Sequence, residues 1–315
     1  MTQLINYLKQ PIANFLWLGL LCLWACGSAD NTGTQQTDSI VEVDSGNNPD
    51  LVSSPSASSQ KRSPGSIPLD FPLVNTTAKA NEYVLAPMLQ WVEDGFIKGK
   101  DQMVLIFYGR KMVAPGKVES KLKAIGKEVM MPNSMIIPVP VGEKVLKGEV
   151  VLTWEQNRGS SMRTAIVTDA SNPASPKIQY LDTPYTPGVS DVQAQPNTFV
   201  ALRKPWQPGV YLAVKEDFGY NYAQIIREAD NKVLTIGFTG KVKVYNKNNC
   251  VPVPFKPQLK PGDKVHVVKI AAFIEGVVKK VLPEIGRVMV EIDFGGKPET
   301  VVAGYGKIIK DLKIR

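Results

Sequence analysis

Hydrophobic and polar positions alternate in short runs along residues 209–244, GVYLAVKEDFGYNYAQIIREADNKVLTIGFTGKVKV. Val210, Leu212 and Val214 alternate with Tyr211, Ala213 and Lys215, the period of two that a half-buried strand needs. Glu216 to Gly219 predicts a turn, and Tyr222 to Ile226 a second strand rich in aromatic and β-branched residues. Ala229-Asp230-Asn231 turns the chain again, Val233 to Phe238 form a third strand, and Thr239-Gly240-Lys241 leads tightly into Val242 and Val244. Four strands in 36 residues make a meander. One such meander is too small to bury a stable core by itself.

The chain repeats the pattern. Ile236-x-Phe238-x-Gly240-Lys241 recurs 56 residues later as Ile292-x-Phe294-x-Gly296-Lys297. Ile137-Pro-Val-Pro-Val echoes Val251-Pro-Val-Pro-Phe at an offset of 114, which Gly148-Glu149 and Gly262-Asp263 share. The two offsets agree on a period near 57, against chance matching of Gly, Pro and Val in an all-β chain. Four units are expected, within 73–147, 148–207, 208–259 and 260–315, all of them β. In the first, Tyr83 to Phe96 reads as a short helix confined by Pro87 and Gly95. Met103 to Tyr108 and Met112 to Glu119 read as its first two strands. In the second, Glu149 to Trp154, Arg163 to Thr168 and Ile178 to Tyr180 are strands. The fourth has Asp263 to Val268, Ile274 to Val281, Val288 to Phe294 and a closing Tyr305 to Lys310. Residues 271–282 also suit a helix by periodicity, and register with the third unit favours strand.

The third and fourth units, and the second in part, resemble the Tudor and SH3-like small barrels. The resemblance rests on Gly-(x)3-Val, an aromatic polar turn, Tyr222-Ala-Gln-Ile-Ile and Val-x-Ile-x-Phe-x-Gly. In the first unit only Ala114-Pro-Gly-Lys-Val118 matches. The resemblance implies tandem small barrels that recognise peptides or modified side chains without catalysis.

The first 72 residues read differently. Asn14 to Ala25 is an apolar run of 12, too short to span a bilayer, which takes roughly 20 residues, and suited to the apolar region of a secretory signal. Its end, Leu23-Trp24-Ala25-Cys26-Gly27, resembles the lipobox of bacterial lipoproteins, with Trp24 bulkier than the usual residue. The resemblance implies a signal peptide over 1–25 and lipid on Cys26 at the outer side of a membrane of the cell envelope. An ordinary signal peptide and a buried apolar N-terminus are the alternatives. Residues 26–72 are rich in Ser, Thr, Asn, Asp, Gly and Pro and are expected to be a disordered tether. As a flexible coil its 46 residues after Cys26 would span about 35–40 Å.

Composition narrows the chemistry. Beyond Cys22 and Cys26 the one remaining cysteine is Cys250, read as a small buried hydrophobe. The single histidine, His266, sits on a strand with no acid or hydroxyl motif beside it, so no catalytic residue is assigned. One His and one free Cys cannot furnish a zinc set, and no Gly-rich phosphate loop occurs; no metal or cofactor is expected. Residues 80–315 carry 33 Lys and Arg against 23 Asp and Glu, with lysines recurring at 279, 280, 297, 307, 310 and 313. That surplus suits a solvated surface or attraction to anionic lipid or envelope polymers. Nucleic acid suits a Tudor-like barrel but not a lipid-anchored protein outside the cytoplasm.

Five residues form the candidate binding site. Phe218, Tyr220 and Tyr222 stand at every second position around the first turn of the third unit. Similarity to Tudor modules implies that Phe238 lies near them, completing a cation-binding cage with Asp217 as counter-charge. The same rings also suit the filling and rim of a small core. Two function classes follow. One is a membrane-anchored module binding a peptide, a protein or an anionic polymer; the other is a structural spacer without a small ligand.

Overall fold

The computed structural model describes residues 62–155, 160–217 and 219–313. These residues are mostly strand, arranged in antiparallel sheets with one α-helix. The strands fall into four sets of five. The first holds β1 (Tyr83–Ala86), β2 (Tyr108–Ala114), β3 (Glu119–Lys123), β4 (Glu128–Pro132) and β5 (Ile137–Pro138). The second holds β6 (Val150–Trp154), β7 (Met162–Asp169), β8 (Lys177–Tyr180), β9 (Val192–Gln193) and β10 (Val200–Ala201). The third holds β11 (Tyr211–Glu216), β12 (Gly219–Ala229), β13 (Lys232–Gly237), β14 (Val242–Asn246) and β15 (Cys250–Pro252). The fourth holds β16 (Lys264–Lys269), β17 (Ala272–Leu282), β18 (Arg287–Asp293), β19 (Pro298–Gly304) and β20 (Ile308–Ile309).

Every set has the same strand order. The first four strands form a meander, and the fifth returns to pair the free side of the first. The second strand of each set carries an irregularity, between Met112 and Ala114, Val167 and Asp169, Ile225 and Arg227, and Val278 and Lys280. A bulge adds an unpaired residue and bends the strand, so a short sheet coils over its own apolar face. The bulged residues recur at intervals of 55, 58 and 53, matching the period in the sequence. The two sequence echoes also coincide with equivalent places. Ile236 and Ile292 end the third strands, while Ile137 and Val251 lie in the fifth strands.

The sheets are not closed. In no set does the fifth strand pair with the fourth, so the closed barrels expected from the sequence give way to open, coiled sheets. The fifth strands are only two or three residues long, and two contain proline, Pro138 and Pro252, which has no N–H to donate to a further strand. The third and fourth sets also merge into one ten-stranded sheet through the pair Asn221 and Ala272.

The first set departs most from its sequence reading. Its first strand is Tyr83–Ala86, inside the segment expected to be helix, and helix α1 (Leu89–Lys98) follows only after Pro87. Residues 103–107 are extended, as their alternation predicts, but they do not join their own sheet. Leu105 N donates to Gly240 O, Val242 N to Met103 O, and Met162 N to Phe107 O, so this segment crosses from the third set to the second. The segment expected as one strand over 112–119 is split by a turn at Pro115 to Val118. Residues 271–282 are strand.

The last eleven residues of the expected tether are packed against the body. Ile67, Leu69 and Phe71 are buried, Arg62 pairs with Glu119 at 2.6 Å, and Asp70 with Lys232 at 2.9 Å. Alternate apolar residues in a Pro-rich stretch bury enough surface to hold it. One apolar core takes residues from Ile67 through Phe107, Leu152, Ile226 and Val242 to Ile308, so all four sets share it.

Candidate binding surface

The third set brings three of the five expected residues together. Register places Tyr222 opposite Ala213 on β11, with Ala223 opposite Gly237 on β13, and so next to Phe238. The Tyr222 and Phe238 rings meet edge to face at 6.5 Å, and Tyr222 meets Tyr211 at 5.9 Å. Tyr220, two residues back, packs against the small apolar cluster of Tyr211, Ala213 and Phe273. Asp217 stands exposed in the turn between β11 and β12. Phe218 lies outside the described residues.

One ring of the expected cage, Tyr222, faces a cation from the chain itself. Lys307, from the loop between β19 and β20, places its Nζ 5.7 Å from the Tyr211 ring and 5.9 Å from the Tyr222 ring. Ring faces attract ammonium groups, so these rings are engaged by the chain's own lysine. What stays open is apolar. Phe238 is 57% exposed, and Val104 and Ile106 point outward on the segment that bonds to the Gly240 turn beside it. Ile270 is 60% exposed in the turn whose next residue, Ala271, accepts the Tyr222 N–H through its carbonyl. Its φ is +58°, the left-handed region that a β-branched residue rarely enters. Such strain costs about 1–3 kcal/mol and clusters at functional sites. Ile270, Phe238, Val104 and Ile106 lie in or on segments bonded to the start of β12 or to the Gly240 turn, and with the half-buried Tyr220 and Tyr222 they are termed the ledge.

Sequence reasoning missed three residues of this ledge and the lysine beside it. Val104 and Ile106 read as one face of an ordinary strand, and only the crossing of 103–107 between sets leaves that face exposed. Ile270 sits in Lys-Ile-Ala-Ala, which carries no glycine to mark a left-handed turn. Lys307 reads as one of a run of surface lysines. Of that run, Lys279 pairs with Glu291 at 2.8 Å and Lys310 with Asp263 at 3.0 Å, leaving Lys280, Lys297 and Lys313 exposed.

Behind the ledge lies a polar cluster joining the second, third and fourth sets. Tyr211 Oη and Thr164 Oγ1 share a hydrogen bond of 3.2 Å, and Gln224 Nε2 donates to Thr164 Oγ1 at 3.2 Å and to Gly209 O at 2.9 Å. Asp182 faces Arg163 at 3.9 Å and feels Lys307. Burial pushes the Asp182 carboxyl above its ordinary range, outweighing the nearby cations, and pushes Lys307 below its own. Tyr222 is pushed up to about 12 by burial and by the Asp182 charge.

The sign of the pH effect follows. A carboxyl whose folded value is raised binds more protons when folded, so stability rises as pH falls from that value toward 3.8. For Lys307, folded below 10.5, stability rises as pH climbs from its folded value toward 10.5. Asp182→Asn is expected to remove the acid-side gain. Urea unfolding across pH should show wild-type stability rising relative to the variant as pH falls toward 3.8; a constant difference would contradict the assignment.

Cys250 is buried, and burial pushes its thiol up to about 12, which makes it unreactive. His266 Nε2 lies 3.6 Å from Glu275 Oε1 across the β16–β17 pair. Among the described residues no three His, Cys, Asp or Glu side chains gather as metal ligands. Cys26 lies outside the described residues. No helix among the described residues is long and apolar enough to cross a membrane. In comparison with known proteins, no family model matches the chain, and no curated protein matches it either.

Proposed function

We propose that this chain is a lipid-anchored protein of the bacterial envelope. Its β sets are open relatives of SH3- and Tudor-like barrels and bind an extended segment of a protein partner without catalysis. The observation that carries the reading is the ledge: exposed Phe238 and a strained, exposed Ile270 flank half-buried tyrosines. Such an arrangement, held against its cost, suits contact with a partner rather than folding alone. Lys307 on the rings favours an apolar partner segment over a methylated lysine. The shared core also suits a rigid spacer, under which the ledge binds nothing.

Peptide titration separates these readings. Extended peptides with alternating apolar residues, lysine-rich peptides and methyllysine peptides would be added to the full-length protein. The apolar peptides should bind tightest, and Tyr220→Ala should weaken them by about 0.5–1.5 kcal/mol without unfolding the body. Tightest binding by methyllysine peptides restores the cage. Binding indifferent to Tyr220→Ala removes the ledge.

A further inference from the structure

We propose that a second site, in the cavity between the second and fourth sets, binds a small organic carboxylate on Arg287. The cavity has a volume of about 250 Å³ and is lined by Arg287 and Ile285 from the fourth set and by Thr183, Tyr185, Ser190 and Val192 from the second. Arg287 opens β18, and register against Leu282 and Gly304 fixes its backbone. The residue is only 4% exposed. Its Nη2 donates to Tyr180 O at 2.7 Å and to Thr183 O at 3.1 Å, and the guanidinium carbon lies 5.3 Å from the Tyr185 ring centre.

All of these partners are neutral. A buried charge is costly unless it is paired, and among the described residues no carboxylate stands within 4.0 Å of Arg287. Asp182 acts on it from further away, but Arg163 and Lys307 draw on the same carboxylate. Arg163 also pairs with Glu155 at 3.5 Å, and of the three cations that act on Asp182 only Arg287 lines the cavity. Only Nη2 of Arg287 finds acceptors among the described residues, which leaves Nε and Nη1 as further donors on a residue that lines the cavity. They are the donors that an incoming anion would use, in charge-assisted hydrogen bonds.

The remaining lining narrows the ligand. Ile285, Val192 and the Tyr185 ring are apolar, while Thr183 and Ser190 offer hydroxyls. An anion with a short hydrocarbon part matches both kinds of wall; a fully hydrated phosphate matches only one. The volume falls just under the range of sites for drug-sized ligands, about 300–1,000 Å³, which limits the occupant to a few carbons.

Calorimetric titration of the full-length protein with sodium butyrate, and separately with inorganic phosphate at constant ionic strength, tests the assignment. Saturable one-to-one binding of butyrate is expected, with phosphate weaker. Arg287→Gln should weaken butyrate by about tenfold or more, the loss of one charge-assisted hydrogen bond. Because that variant also loses two internal hydrogen bonds, Ser190→Trp serves as a second test. It fills the cavity from its exposed side and should abolish binding while leaving the melting temperature unchanged. Absence of saturable butyrate binding, or binding that survives Ser190→Trp, would overturn the site. Phosphate binding tighter than butyrate would overturn the carboxylate.

Discussion

Replacing Phe107 by alanine is expected to cost about 3–5 kcal/mol and to shift the unfolding of the whole body in one step. Phe107 is 1% exposed and is among the largest fully buried side chains. Its ring belongs to the core shared by all four sets, and its carbonyl accepts the Met162 N–H of the second set. Removing the ring therefore leaves a cavity where sets meet, not inside one of them. A loss of that size is a large fraction of the about 5–15 kcal/mol that holds a typical domain. Denaturant unfolding followed by tryptophan fluorescence and by far-ultraviolet circular dichroism reads the result. Trp91, Trp154 and Trp206 report the first three sets, and the β signal reports all four. Coincident transitions that move together support a fused body; separate transitions, with only one shifted by Phe107→Ala, would show four independent units.

Cys26→Ser is expected to abolish lipid attachment altogether. The apolar run Asn14 to Ala25 is too short to be a permanent anchor. Ala25 suits cleavage before Cys26, and a polar tract follows directly. One acyl chain gives marginal, reversible binding, whereas two or more hold a protein in the bilayer. A diacylglyceryl thioether with an amide-linked chain should thus survive a high-salt wash. The serine variant should accumulate as an uncleaved or mislocalised precursor without lipid. Mass spectrometry of the purified wild-type protein checks the same point. An unmodified N-terminus downstream of Cys26 would leave a secreted soluble protein.

Strands with one buried face were legible: Val288 to Ile292 alternate cleanly, and the period of the repeat fixes where β17 must run. Val210 to Val214 is buried on both faces, so its apolar run and not its alternation marks it. The first set was misread for a physical reason. Met103 to Phe107 has the alternation of a strand, yet its hydrogen bonds go to Gly240, Val242 and Met162, far away in sequence. Tyr83–Ala86 is too short to compete with that signal locally. Its pairing with Tyr108 to Lys111 arises only after the intervening helix folds back. The fifth strands, two or three residues each, have no periodicity to read.

The candidate site was legible in its rings but not in its occupancy. Tyr220, Tyr222 and Phe238 stand out by spacing. Lys307 reaches Tyr222 from another set, 85 residues on, and no local pattern announces that contact. Ile270 becomes informative only through its backbone angle.

Photo-crosslinking in living cells tests the central claim most directly. A benzophenone amino acid placed at Phe238 would be compared with one at Ile125, which is 89% exposed and far from the ledge along the chain. The account predicts one discrete protein adduct from position 238, lost when Tyr220 is changed to alanine, and none from position 125. No adduct at 238, or the same adducts from both positions, would contradict it.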